Sequence, residues 1–140
     1  MIGRCLCGNI SFTVKADIQT SYVCHCQDCQ QYSGSAFQTL SIVDRKDFEI
    51  NTGQPQSHQY ETQDKSILTR YFCPDCSAPL YNISSRFNDI VMFSATALND
   101  AEKIKPAFEI WTSSQLPWVD LGLDIKRYPY GAEDGDTPPG

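Results

Sequence analysis

Seven cysteines fall into three tight clusters, and nothing else in the chain restricts its fold so strongly. Cys5-Leu6-Cys7-Gly8 opens the chain, Cys24-His25-Cys26-Gln27-Asp28-Cys29 follows, and Cys73-Pro74-Asp75-Cys76 comes much later. No cysteine stands outside them. The amino terminus lacks the apolar stretch of a signal peptide, which predicts a cytoplasmic location. In that reducing compartment closely spaced cysteines bind metal or do redox chemistry more often than they form structural disulfides.

The third cluster has the two-residue spacer of a zinc knuckle, which lets both thiolates reach one ion at about 2.3 Å. It supplies only two ligands, and tetrahedral zinc needs four. Cys5 and Cys7 are the natural second pair, with Gly8 permitting a tight turn beside the metal. The four thiolates predict a closed structural site on Cys5, Cys7, Cys73 and Cys76, coupled to folding. The competing reading of Cys73 and Cys76 as a redox couple asks for a βαβ pattern that the chain does not have.

The middle cluster leaves more open. Cys24, Cys26 and Cys29 can face one ion from a strand end and the following turn. Three protein ligands and a vacant fourth position make a catalytic type of zinc site. A substrate thiolate suits such a soft site, and the ion would favour the anionic form of the thiol. Two other readings remain: His25 closes the site as fourth ligand, or the three thiols hold no metal and sense oxidants. Alternation along an extended strand turns His25 away from Cys24 and Cys26. His58 sits in the polar run Ser57-His58-Gln59-Tyr60 and is assigned no role.

Around the clusters the sequence reads as short strands punctuated by turns, an all-β pattern. Asn9–Val14 alternates with period two, and Ala36–Val43 is apolar and β-branched. Phe48–Asn51 and Ser57–Glu61 flank the hairpin loop Thr52-Gly53-Gln54-Pro55. Ser66–Phe72, Leu80–Ile83, Ile90–Ala97 and Phe108–Trp111 complete about eight strands. Helical turns are expected only at Gln27–Tyr32 and at Leu98–Lys103, the latter capped by Asn99 or Asp100. A length of 140 residues suits one domain over residues 1–130. The Gly131–Gly140 tail has no large apolar residue and is expected to be disordered. The net charge of −6, with no cationic run beyond Arg45-Lys46, argues against nucleic acid or anionic membrane as partner. No stretch approaches the apolar length of a membrane span.

Taken together, G-R-C-L-C-G, C-H-C-Q-D-C-Q followed by S-G-S-A-F, F-C-P-D-C-S-A-P-L-Y and S-S-Q-L-P-W resemble the glutathione-dependent formaldehyde-activating family, which also contains centromere protein V. The likeness runs from Gly3 to about Tyr130. It implies a mainly β fold, the β-tent, of packed antiparallel sheets with short helical turns. It further implies two zinc ions, one structural on Cys5, Cys7, Cys73 and Cys76, one of catalytic type on Cys24, Cys26 and Cys29. The implied activity is that of a carbon–sulfur lyase joining formaldehyde to glutathione. Members of that family often carry basic residues after the middle cluster, where this chain has Gln30-Gln31. Arg45, Arg70 and Arg86 are the other sources of charge for a carboxylate-bearing thiol such as glutathione. Ser33, Gly34, Ser35 and Phe37 are expected to line the substrate pocket and Trp118 to cover it. Two rival readings are a non-catalytic zinc module that binds a protein partner and a reductase with a cysteine nucleophile. The second lacks a cysteine outside the clusters.

Overall fold

The computed structural model describes residues 1–133, so the expectation of a disordered tail lies, for residues 134–140, outside the described residues. Eleven strands occur among them: β1 Ile2–Arg4, β2 Ser11–Val14, β3 Thr20–Cys24, β4 Gln38–Asp44, β5 Phe48–Thr52, β6 Gln56–Glu61, β7 Ile67–Phe72, β8 Pro79–Ser84, β9 Ile90–Ser94, β10 Phe108–Ile110 and β11 Lys126–Arg127. The single α-helix of that region, α1, spans Gln27–Ser33. Leu98–Lys103 yields only a 3-10 turn at Ala101–Lys103.

The strands build two sheets. The smaller has the order β1-β2-β5 and is antiparallel throughout. The larger has the order β11-β10-β3-β4-β9-β8-β7-β6. Its pairings are antiparallel from β3 to β6, whereas β10 runs parallel to both β3 and β11. The mainly β architecture of packed antiparallel sheets is therefore as expected, with one parallel edge added.

Period-two alternation divides the large sheet into two working faces. Val43, Leu80, Val91 and Phe93 pack with Ile10, Phe12 and Val14 of the small sheet, and Cys5 and Cys73 belong to the same cluster. Phe12 stacks on Phe48 at 5.0 Å and meets Phe93 edge-on at 5.9 Å, so aromatic rings fill the space between the sheets. On the opposite face, one residue out of register, Tyr22, Cys24, Leu40 and Cys29 form a second apolar cluster. Cys24 closes β3, Cys26 is the N-cap of α1, and Cys29 is buried in its first turn. Gly34, with φ of 67°, ends that helix in the left-handed conformation and donates its N–H to Gln30 O.

Candidate functional site

At the four-cysteine cluster two similar turns face each other. Cys5 N donates to Ile10 O at 3.0 Å and Cys73 N donates to Ala78 O at 3.1 Å, so each cysteine pair sits in a hydrogen-bonded loop. The turns need left-handed backbone, found at Gly8 (φ 81°) and at Ser77 (φ 67°). Asn9 Nδ2 donates to Asp75 Oδ2 at 2.9 Å and ties the loops together. Cys5 Sγ lies 3.6 Å from Cys7 Sγ, which lies 3.8 Å from Cys73 Sγ. Tetrahedral zinc with bonds of about 2.3 Å requires sulfurs about 3.8 Å apart, so the donor set fits such an ion. Backbone amides already point at the sulfurs: Ile10 N donates to Cys5 Sγ at 3.3 Å and Asp75 N to Cys73 Sγ at 3.4 Å.

Without a cation these thiols divide their protons unequally. The Asn9 amide pulls Cys7 down, but burial and the three neighbouring thiols push it up to about 12. At Cys76 burial works upward, and the amides of Cys7 and Ala78 with the adjoining thiols bring it down to about 6. One thiolate thus forms at the expense of its neighbours, and a divalent ion is what lets all four ionise together.

The second centre gathers Cys24, Cys26 and Cys29, whose sulfurs all lie within 4.8 Å of one another. Cys29 N donates to Cys26 Sγ at 3.3 Å. The neighbouring thiols and burial raise Cys24, whereas Cys29 is drawn well below its ordinary value by hydrogen bonds from Cys24 and Cys26, with help from Arg70. His25 is no part of this group. Its side chain is fully buried on the far side, and its Nε2 lies 2.7 Å from Glu109 Oε1, the imidazole N–H donating to the carboxylate. Glu109 Oε2 meets Arg127 Nε at 3.3 Å, and His25 N donates to Ile110 O at 3.1 Å. The parallel pairing of β10 with β3 is what brings Glu109 to this position.

Arg70 shares the second centre. It is 3% exposed and pairs with no carboxylate among the described residues. Its Nη2 donates to Cys29 Sγ at 3.7 Å, Nη1 to Gln38 Oε1 at 3.2 Å and Nε to the Tyr60 hydroxyl oxygen at 3.1 Å. Its guanidinium also lies 4.5 Å from the centre of the Tyr32 ring. Burial works against the charge, but the Cys29 thiolate and Tyr60 raise its pKa above the ordinary value.

Beside these groups a cavity of about 760 Å³ runs along the same face of the large sheet. Cys24, Cys26, Cys29 and Arg70 form one end. Leu40, Ile42, Leu68, Met92, Phe108 and Ile110 supply apolar wall. Trp111 lines it from a left-handed backbone (φ 56°), its amide donating to Tyr130 O at 2.9 Å and its ring edge-on to Tyr130. Gly131, Ala132 and Glu133 also line it, so the structure places these first residues of the expected tail against the site.

The residues expected in the pocket sit elsewhere. Ser33 Oγ donates to Cys29 O at 2.7 Å and accepts from Ser35 N at 3.2 Å, which closes the end of α1. Gly34 is the helix terminus, and Phe37 packs on His25 with ring centres 5.9 Å apart. None of these four is in the lining of the cavity. Trp118 is 75% exposed and outside the lining, so Trp111 occupies the position expected of it. Among the three arginines, Arg70 and Arg86 reach the cavity, while Arg45 points at Asn88 O. His58 is exposed and stacks on Tyr60, consistent with a solvated strand residue.

The sequence model of the family described as glutathione-dependent formaldehyde-activating enzyme matches residues 1–114. The chain belongs to that family. The match takes in all seven cysteines, α1, Arg70 and most of the cavity wall. A crystal structure of a Rhodobacter sphaeroides protein superposes with a TM-score of 0.59 at 16% identity, covering 76% of this chain and 92% of that one. At that identity the superposition establishes the shared fold. Among curated proteins none matches. No helix among the described residues is long and apolar enough to cross a membrane.

Proposed function

We propose that this chain is a zinc-dependent carbon–sulfur lyase acting on a small thiol adduct, with chemistry resembling that of S-(hydroxymethyl)glutathione synthase. The observation that carries the reading is the three-thiol cluster opening on a cavity, with no fourth protein ligand beside it among the described residues. Zinc bound on Cys24, Cys26 and Cys29 would supply a vacant position that holds a substrate sulfur as thiolate. The second zinc belongs on Cys5, Cys7, Cys73 and Cys76 and is structural.

The chain's own groups then have distinct tasks. Arg70 offsets negative charge at the sulfurs and keeps Cys29 oriented through its 3.7 Å contact. The apolar wall excludes water from the reacting carbonyl. In the forward direction the thiolate sulfur forms a bond to the aldehyde carbon, the carbonyl π pair moves to oxygen, and that oxygen takes up a proton. Tyr60 is the group placed to give it: its oxygen accepts from Arg70 Nε, which leaves its own O–H for the cavity. Burial raises the Tyr60 pKa and outweighs Arg70, so the proton is held at neutral pH. In reverse the carbon–sulfur bond breaks and its pair returns to sulfur. A cytoplasmic location would keep the seven thiols reduced for this chemistry.

A non-catalytic zinc module would need a fourth ligand at the middle centre, and the nearest candidate, His25, is turned toward Glu109. Native mass spectrometry with and without small thiols tests the proposal. Two zinc ions per chain and one bound thiol are expected, with Cys26→Ser retaining one zinc and losing the thiol. The reading fails if Cys26→Ser keeps full activity on every thiol adduct that the wild type turns over.

A further inference from the structure

The cavity has the wrong chemistry for glutathione. Its volume of about 760 Å³ would accept a ligand of some tens of atoms, far beyond what formaldehyde fills. Its wall is mainly apolar, made by Leu40, Ile42, Leu68, Met92, Phe108 and Trp111, residues from four different strands and the turn after β10. Glutathione has no hydrocarbon body to cover that wall, and only scattered polar groups of the lining, such as Thr62, Gln63, Asn82 and Ser84, could meet its peptide groups.

Charge points the same way. Four carboxylates border the cavity, those of Asp28, Glu61, Asp64 and Glu133, against the two cations Arg70 and Arg86. Arg70 is committed to Cys29, Gln38 and Tyr60. Arg86 Nη1 is held by Asp64 at 2.7 Å and Glu133 at 3.3 Å. Glutathione brings two carboxylates and one ammonium, so one negative charge in excess would meet an acidic border. Gln30, at the position where a cation is expected for glutathione, donates instead to His25 O at 2.8 Å and Ser114 O at 3.0 Å.

We infer that the substrate of this site is an uncharged, apolar thiol, bound with its sulfur at Cys24, Cys26 and Cys29 and its hydrocarbon body along the sheet face. The inference rests on the lyase reading and specifies its thiol. The balance is the same as above: the thiol gives up its S–H proton on binding as thiolate, sulfur bonds to the aldehyde carbon, the π pair goes to oxygen, and that oxygen takes up one proton, so the net reaction releases none.

The test titrates zinc-loaded protein carrying Trp118→Phe with benzyl mercaptan and, separately, with glutathione, reading adducts by native mass spectrometry and affinity by quenching of Trp111 fluorescence. Benzyl mercaptan should bind about tenfold or more tightly than glutathione, the discrimination that an apolar pocket gives for a few carbon atoms. Glu61→Lys, an exposed substitution at the border, should improve glutathione binding by about threefold. Glutathione binding as tightly as benzyl mercaptan, or glutathione indifferent to Glu61→Lys, overturns this inference and leaves the lyase reading standing. No adduct with either thiol overturns both.

Discussion

Arg70→Met should strip metal from the middle centre while sparing the four-cysteine centre. Three thiolates around a divalent ion retain one net negative charge, and Arg70 is the cation beside it, 3% exposed. Opposite unit charges at the 3.7 Å separation of Nη2 and Cys29 Sγ attract by about 4 kcal/mol at an effective dielectric constant of about 20. Spreading the negative charge over three sulfurs lengthens the mean separation and leaves about 3 kcal/mol. That corresponds to a loss of about 100-fold in metal affinity. Competition against a chromophoric chelator measures it, and cobalt substitution separates the two centres by their thiolate charge-transfer bands. The four-cysteine centre serves as the internal reference, because Arg70 contacts none of its ligands. Arg70→Lys, which keeps the charge but loses the three-way hydrogen bonding, should fall between the two. If Arg70→Met binds metal at the middle centre within about threefold of wild type, the counterion role is refuted.

Three further outcomes follow from other parts of the fold. Stripping the four-cysteine centre with a strong chelator should lower Tm by about 10 °C or more, since Cys5 and Cys73 lie inside the main core; calorimetry reads the shift, and an unchanged Tm would mean the centre is dispensable. Asp64 sits below the usual carboxylate range: burial opposes the anion, but Ser66, Thr62 and Arg86 outweigh it. A depressed folded-state pKa contributes stability above the ordinary value of about 3.9 and loses it on acidification, so Asp64→Asn should lower Tm at pH 7, with the gap narrowing as the pH falls below about 4. Glu109→Ala leaves His25 Nε2 buried without an acceptor, beside an Nδ1 that already lacks a partner, and should cost about 2–3 kcal/mol in urea unfolding; Arg127→Ala, removing a half-exposed partner, should cost under about 1 kcal/mol, and equal costs would contradict the assigned hierarchy.

How much of this was legible in the sequence depended on how local each feature is. The cysteine groupings were legible because a thiolate pair and its turn fit in four residues; alternation marked β2, while β4 was legible from its run of apolar and β-branched residues. Strands β1 and β11, at three and two residues, are too short to leave a period. β3 was hidden for another reason: Tyr22, Val23 and Cys24 are all buried, so no alternation of apolar and polar residues marks it. The pocket was the least legible part. Proximity to the cysteines suggested Ser33 to Phe37, but α1 carries that segment behind the metal centre, and the actual lining comes from strands far apart in sequence. Arg70 did leave a trace, a lone cation in the run Ile67-Leu68-Thr69-Arg70-Tyr71-Phe72 that would otherwise read as an ordinary sheet strand.

The two cysteine clusters are separated by the sheet itself. Odd and even positions of β4 and β9 send Val43, Val91 and Phe93 to the core shared with Cys5 and Cys73, and Leu40, Ile42 and Met92 to the side of Cys24 and Cys29. One face therefore couples its centre to folding, because its ligands are built into the packing of both sheets. The other face holds its cysteines at the end of a strand and the first turn of a seven-residue helix, with the cavity of about 760 Å³ beside them. Substitutions that reshape the cavity wall alter only the cavity-facing half of each strand, so the pocket can change while the core between the sheets and its cysteines stay as they are.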